Sequence, residues 1–343
     1  MKQTKFAALA ALLTALLLSA CGKQKQTPQN VAAQNDAAAA QDAALRNVRL
    51  VLDWTPNTNH TGIYAALELG YFAEAGFNLS ILQPPEDGAL IITAAGGAEY
   101  CVDFQETMGP AIARKEAPLP VTAVAAVINH NTSGIMSLAS SGIKSPRHLA
   151  GKRFASWETP LVTEIIRNVV ETDGGNFSAV KMIPNYATDA ISALQTDIDA
   201  IWIYYAWDGV KAELEGIPIN YIDFGALNPV FDFYTPVIAA NSNYLNTKPE
   251  EARQFMAALS KGYEYAIKNP KEAAAILLKH APELDAKLVH QSQIYLTPRY
   301  TADAPRWGEI DTKRWRAFYG WMYEKGLLEQ DVRDKGFTNE FLP

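Results

Sequence analysis

Aromatic rings, amides and carboxylates gather at a few places along this chain, each just after a short apolar run. The stretch Asp53 to Gly62, DWTPNTNHTG, is one, and a plain turn needs neither its Trp nor its His. Phe104-Gln105-Glu106 is a second. Trp157-Glu158-Thr159-Pro160 stands at an expected helix start, where free backbone N–H groups and the helix dipole favour an acceptor or an anion. Tyr204-Tyr205-Ala206-Trp207-Asp208 ends another run, and Phe231-Asp232-Phe233-Tyr234 closes the set. A flat ring stacked offset on Trp or Tyr gains about 0.5–1.5 kcal/mol beyond its burial. Hydrogen bonds from ring amino groups to a carboxylate are roughly twice as strong as neutral ones. Trp54 and Trp157 are therefore expected to stack on a flat, amine-bearing heterocycle. Asp53 and Glu106 accept from its amino groups, and Asn59 and Tyr205 fix its orientation. His60, Gln105, Asn131, Glu158, Trp207, Asp208 and Tyr234 complete the candidate set. With Glu106 as an ionised acceptor, Glu106→Gln is expected to weaken binding and leave the fold intact.

Other chemistries lack their signatures. The sequence has no P-loop, no HExxH, no GxSxG and no clustered Cys/His set. His60, His130, His148, His280 and His290 are scattered, and none stands at metal-ligand spacing from another. No catalytic residue, metal or cofactor is expected. The charge is −7, from 30 basic and 37 acidic residues without a basic block, so nucleic acid is not an expected partner. Several aromatics read better as core than as site. Trp202 alternates with Tyr204 along one strand, Phe231 and Phe233 suit a packed crossing, and Trp315, Phe318, Tyr319 and Trp321 repeat at helical spacing. Cys101 lies in an apolar run and reads as a small core residue.

The elements that must carry these residues alternate. Apolar runs at 49–53, 79–82, 100–104, 121–128, 135–138, 153–156, 181–183, 200–204 and 236–239 read as strands. Helical spacing appears at 62–70, 87–95 and from Thr159-Pro160 to about 171. Alternation of this kind implies parallel strands with crossover helices, an α/β architecture. From Pro249 onward only helices are expected, at 249–268, 270–280, 285–296 and 311–325. Polar crossings near 129–134 and 225–236 suit a chain that leaves one lobe, builds a second and returns. The expected division is 47–133 with 235–343 as a discontinuous first lobe and 134–234 as the second, with ligand in the cleft beyond the strand ends.

The first residues point to export. Lys2 and Lys5 precede an apolar run from Phe6 to Leu18 that is too short to span a membrane, and Leu18-Ser19-Ala20-Cys21 resembles a bacterial lipobox. Residues 1–20 are expected to be a lipoprotein signal peptide and Cys21 the lipidated residue. The Gln-, Ala- and Asn-rich stretch 21–46 is expected to be a flexible tether. Buried acyl chains contribute about 0.8 kcal/mol per CH₂, so several together anchor the chain to a membrane surface.

The motifs themselves resemble a bacterial family. LDWTPNTNHTG at 52–62, Gly70-Tyr71-Phe72, DFQE at 103–106, HNTSG at 130–134, WIYYAWDG at 202–209, YTPVI at 234–238 and FTNEFLP at 337–343 carry the likeness. It is similar to the substrate-binding lipoproteins of ABC importers for thiamine pyrimidine precursors, notably formylaminopyrimidine. The resemblance implies a two-lobed periplasmic-binding fold of the second topological type. It also implies delivery of ligand to a membrane permease driven by a cytosolic ATPase. The same superfamily includes a fungal enzyme that builds the thiamine pyrimidine from its own histidine and pyridoxal phosphate. By alignment, the cofactor-bearing lysine of that enzyme falls at Glu106 and its sacrificed histidine near Pro110. Its cysteine-rich motif falls near Phe231 to Tyr234, where this chain has no cysteine. Without the lysine no Schiff base forms, and an exported protein leaves its cytosolic cofactor behind. Relatives of the same fold for sulfonates, nitrate or flavin precursors supply the alternative ligands.

Overall fold

The computed structural model describes residues 45–157, 159–184 and 189–343, so Cys21, the leader and Glu158 lie outside the described residues. Ten strands, numbered along the chain, form two five-stranded sheets. The first contains β1 (Arg46–Val51), β2 (Phe77–Leu82), β3 (Tyr100–Asp103), β4 (Val121–Ala126) and β10 (Val237–Asn241), in the order β2-β1-β3-β10-β4. The second contains β5 (Ser133–Leu138), β6 (Arg153–Ser156), β7 (Lys181–Pro184), β8 (Ala200–Tyr204) and β9 (Ile219–Asp223), in the order β7-β6-β8-β5-β9. The two orders are the same pattern. Each sheet is a lobe of the two-lobed periplasmic-binding fold of the second topological type, and the expected α/β class holds.

One expectation is corrected here. The strands are not all parallel: β10 runs antiparallel to β3 and β4, and β5 antiparallel to β8 and β9. The reason lies in how the chain enters them. Both strands follow a crossing from the other lobe and not a helix on their own sheet, so the right-handed crossover rule does not fix their direction. Strand β9 was not expected either, because every residue of it is only half-buried and it carries no clear apolar run.

The seven longer helices among the described residues are α1 (Thr61–Glu68), α2 (Gln105–Ile112), α3 (Pro160–Thr172), α4 (Pro249–Lys268), α5 (Pro270–His280), α6 (Ala286–Leu296) and α7 (Thr312–Glu324). Six match helical spacing in the sequence. Helix α2 does not, because Gly109-Pro110 near its end reads as a stop. The start of α3 follows capping rules: the Thr159 side chain accepts from the Val162 N–H, and Pro160 takes a first-turn position whose N–H would have no partner.

Packing fixes where strand ends meet. One face of the first sheet, with Leu50, Tyr100, Val102 and Ile238, packs on α1 and α4, and Tyr100 stacks on Phe255 at 4.2 Å. The other face, with Val51, Cys101 and Ala239, belongs to a core that takes in Trp315, Phe318 and Tyr319 of α7. Phe231, Phe233 and Tyr234 on the return crossing join this same core, which continues into Phe154, Trp202 and Phe224 of the second lobe. Apolar packing thus runs through the crossing between the sheets. Helices α1 and α4 approach closely: a Cβ on Gly62 would overlap the Tyr263 ring, and one on Gly262 would overlap the Gly62 carbonyl. That contact sets the height of α1, and so of the 53–60 loop leading into it.

Candidate functional site

Four parallel strands end on one set of side chains. β1 leads to Asp53, β3 to Asp103 and Glu106, β6 to Ser156 and Trp157, and β8 to Tyr204. Carboxyl ends of strands are where open α/β sheets place ligands.

The 53–60 loop is built around a buried pair. His60 is wholly buried, and its Nδ1 accepts from the Asn57 N–H at 3.2 Å. Its remaining proton therefore sits on Nε2, which donates to Asp53 Oδ1 at 2.6 Å. The Asn57 side chain in turn accepts from the Asn59 N–H. Both His60 nitrogens are bonded inside the protein, so His60 orients Asp53. Below the loop, Thr58 Oγ1 meets Ser292 Oγ of α6 at 2.6 Å, and that hydroxyl donates to the Ala206 carbonyl beyond β8. Tyr263 donates to the Asn59 carbonyl at 2.8 Å. Trp54 stands out of this loop, 64% exposed.

Glu106 is the site's unusual residue. It lies in the first turn of α2, with Oε1 accepting from Thr235 Oγ1 at 3.2 Å. Part of its stem is exposed, yet Oε2 is dry and has no partner among the described residues. Burial pushes its carboxyl up to about 8, with the Asp103 charge adding to the shift. A carboxyl so raised favours its protonated form at neutral pH, where residue type alone suggests an ionised acceptor. Asp103 is pushed up to about 6 by burial, against hydrogen bonds from Thr107 and the Phe104 N–H. Tyr204 meets Thr235 Oγ1 at 3.5 Å, and burial with the Glu106 charge raises its phenol. Lobe one (Glu106), the return crossing (Thr235) and lobe two (Tyr204) thus join in one polar chain.

Aromatic rings stand beside it. Trp157, 44% exposed, lies 6.3 Å from Tyr204 and 6.3 Å from Trp202, whose ring rests on Phe224 at 4.2 Å. Trp202 is core, as expected from its alternation, but its buried indole N–H has no partner among the described residues. The same is true of Ser133 Oγ, opposite Tyr204 in the β5–β8 register. An unpaired buried polar atom costs roughly 1–3 kcal/mol. A cavity of about 300 Å³ lined by Ser156, Trp157, Thr159, Pro160, Thr163, Met182 and Ile183 opens beside these rings.

Other expected contacts are placed elsewhere. Gln105 is wholly buried, donating to the Trp315 carbonyl and accepting from the Tyr234 N–H. Tyr234 is wholly buried, its hydroxyl accepting from the Asp311 N–H at 2.7 Å. Asn131 donates to the Phe231 carbonyl and accepts from the Ser133 N–H. Gln105 and Tyr234 thereby tie the return crossing to α2 and α7, and Asn131 ties the first crossing to the return one. Tyr205 turns away from Glu106: its ring packs on Tyr221 at 4.6 Å and Tyr295 at 5.2 Å, and its hydroxyl donates to Glu213. Trp207 is half-buried against the core of the first lobe. Asp208 is pushed up to about 6 by burial, with Asp189 and Lys211 as its charged neighbours.

A larger cavity, about 490 Å³, lies at the crossings and is lined by His130, Asn131, Thr132, Asp223, Gly225, Asp232, Tyr295, Pro298 and Arg299. Its polar groups are largely paired with one another: His130 lies 2.6 Å from Asp232 and 2.9 Å from Asp303, and Asp232 holds its imidazolium above the usual histidine value. Size favours this cavity. Unpaired polar atoms and the strand ends favour the region of Glu106, Trp157 and Tyr204, and chemistry is the better guide. Sequence reasoning did not select Asp103, Ser133, Tyr204 or Thr235 as site residues. All four stand in the motifs that carry the family resemblance, but nothing in their residue types singles out their side chains there.

Comparison with known proteins bears on this geometry. The model of the family described as NMT1/THI5 like matches residues 57–273. The formylaminopyrimidine-binding protein of Halalkalibacterium halodurans is 30% identical over 305 residues, covering 86% of this chain and 90% of the relative. The 4-amino-5-hydroxymethyl-2-methylpyrimidine phosphate synthase of Legionella pneumophila is 26% identical, covering 70% of this chain and 76% of the relative. Among solved structures, the periplasmic aliphatic sulphonate binding protein of Escherichia coli superposes with a TM-score of 0.67 at 16% identity, covering 87% and 99% of the two chains.

Proposed function

The chain belongs to the NMT1/THI5-like family, and from that premise we propose that it binds an aminopyrimidine precursor of thiamine, of the formylaminopyrimidine or hydroxymethylpyrimidine type, without transforming it. The observation that carries this reading is the dry oxygen of Glu106, unpartnered among the described residues and set between the lobes beside Trp157 and Tyr204. A flat ring at that place stacks on exposed Trp157, and its polar edge pairs with that carboxyl oxygen. The formylaminopyrimidine-binding relative supports the ligand class. A synthase reading fails on residue chemistry, because Glu106 stands where the resemblance puts the cofactor lysine. A sulfonate or nitrate fits poorly beside Asp53 and Asp103, whose negative charges repel an anion.

In this reading the ligand enters between the lobes, and contacts made only in the closed form shift the population toward closure by no more than their differential affinity. The lobes would swing about the crossings at 127–132 and 224–236. The chain would be exported, lipid-anchored through Cys21, and would deliver ligand to a membrane permease driven by a cytosolic ATPase. Calorimetric titration with formylaminopyrimidine, its deformylated product, thiamine and riboflavin tests the ligand. Tight binding of one pyrimidine without a turnover product is expected. Silence toward pyrimidines with binding of riboflavin overturns the assignment.

A further inference from the structure

We propose that the Glu106 carboxyl reads the amidine edge of its ligand, a ring nitrogen next to an exocyclic amino group, as a proton donor and acceptor at once, the bound pair holding one shared proton. This rests on the aminopyrimidine reading above and specifies which protonation state the site selects.

The geometry supplies the argument. Glu106 presents two unlike oxygens. Oε1 accepts from the Thr235 hydroxyl, whereas Oε2 is dry and unpartnered among the described residues. Among the described residues no cation acts on it, and the Thr235 and Tyr204 hydroxyls that favour its ionised form are outweighed by burial and the Asp103 charge. The ionisable groups around it are Asp103 at the end of β3, Tyr204 at the end of β8 and Tyr319 on α7, with Asp53 behind them already bound to His60. Among the described residues no lysine or arginine pairs with Glu106; the cations of this region, Arg314 above all, are taken by Asn129 and Asp232. A buried carboxyl without a counter-ion, beside other carboxyls, keeps its proton, in accord with a carboxyl pushed up to about 8.

A neutral carboxyl has a donor O–H next to an acceptor C=O. An aminopyrimidine has an acceptor ring nitrogen next to a donor N–H, so the two edges match in two parallel hydrogen bonds. Moving the proton onto the ring gives carboxylate and pyrimidinium, the same pair with the same proton count and stronger, charge-assisted bonds. Loss of that proton to solvent sets a carboxylate against a ring lone pair. Ligands that carry an oxo group in place of the amino group reverse the pattern and are rejected, because buried partners are left unpaired.

The test is titration of formylaminopyrimidine against pH with wild type, Glu106→Gln and Glu106→Ala. Wild-type affinity is expected to fall about tenfold per pH unit above about 8, where Glu106 ionises in the unliganded protein. Glutamine carries a donor beside an acceptor and does not titrate, so the Gln variant keeps a flat profile and outbinds wild type at pH 9.5. The Ala variant binds weakly at every pH. A wild-type affinity that is level to pH 9.5, or a Gln variant as weak as the Ala variant at all pH values, overturns the inference while leaving pyrimidine binding intact. Infrared difference spectra of unliganded wild type and the Gln variant at pH 7 separate the two readings. The carbonyl stretch of a protonated carboxyl is expected in wild type alone, whatever ligand binds. Its absence contradicts the inference even if every pyrimidine fails to bind.

Discussion

His60 and Glu106 show how burial reassigns residues of the same motif class. His60 spends both nitrogens in orienting Asp53. Replacing it by Ala leaves a nearly buried carboxylate without its donor, a loss of about 2 kcal/mol, and the loop's own N–H of Asn57 loses its acceptor. A lower melting temperature and weaker ligand binding are expected together, and calorimetry reads both. Unaltered stability would show that the pair does not hold the loop. Glu106 makes a prediction of opposite kind. Its carboxyl binds a proton more tightly folded than unfolded, so its contribution to stability is present at acid pH and is lost as pH rises from the ordinary carboxyl range to about 8. Glu106→Gln therefore raises the melting temperature of the unliganded protein at pH 8.5 relative to wild type, and leaves the difference small at pH 4. Residue types alone located Asp53, Glu106 and Trp157 correctly at strand ends. They could not show that His60, Gln105, Asn131 and Tyr234 use their polar atoms on backbone or buried partners, because those partners lie up to 210 positions away, as with Gln105 and Trp315. The hydroxyls of Ser133 and Thr235 were illegible for another reason: they stand in the polar crossings, where a serine or threonine is expected whether or not it faces a ligand.

Elements were more legible than contacts. The four long C-terminal helices show the 3.6-residue period clearly, as does α3 with its Thr-Pro start. Helix α2 was hidden by Gly109-Pro110, whose local meaning is a stop; burial of Met108 and Ala111 overrides it. The two antiparallel strands were hidden because direction is decided by which lobe the chain has just left, and no local period records that. Close contact between α1 and α4 gives this scale its own prediction. In Gly62→Ala the new methyl overlaps the Tyr263 ring, which is wholly buried and stacked on Trp307 at 4.0 Å. The ring cannot turn aside, so α1 must move outward. A loss of about 3 kcal/mol is expected, with weaker ligand binding because α1 carries the 53–60 loop. Denaturant unfolding measures the first and titration the second; a loss below about 0.5 kcal/mol, the range of neutral surface changes, would show that the helices are free to separate.

At the scale of the whole molecule, a binding protein of this fold works through the relation between its lobes, and Arg314 governs the strands that join them. From α7 it donates to the Asn129 carbonyl and to Asn129 Oδ1 on the first crossing, and to Asp232 on the second. Arg314→Ala releases both crossings from the first lobe. Closure then starts from a broader set of lobe orientations, so ligand affinity is expected to fall several-fold, mainly through faster dissociation. Stopped-flow measurement of ligand release checks it, and an unchanged dissociation rate would place the hinge's control elsewhere. The central claim, that an aminopyrimidine is held between the lobes at Glu106, is tested most directly by a crystal structure grown with formylaminopyrimidine. The ring is expected against Trp157, with its ring nitrogen and amino group on the two Glu106 oxygens. A ring seated instead in the cavity of His130, Asp223 and Tyr295, or turned with its amidine edge away from Glu106, would contradict the account.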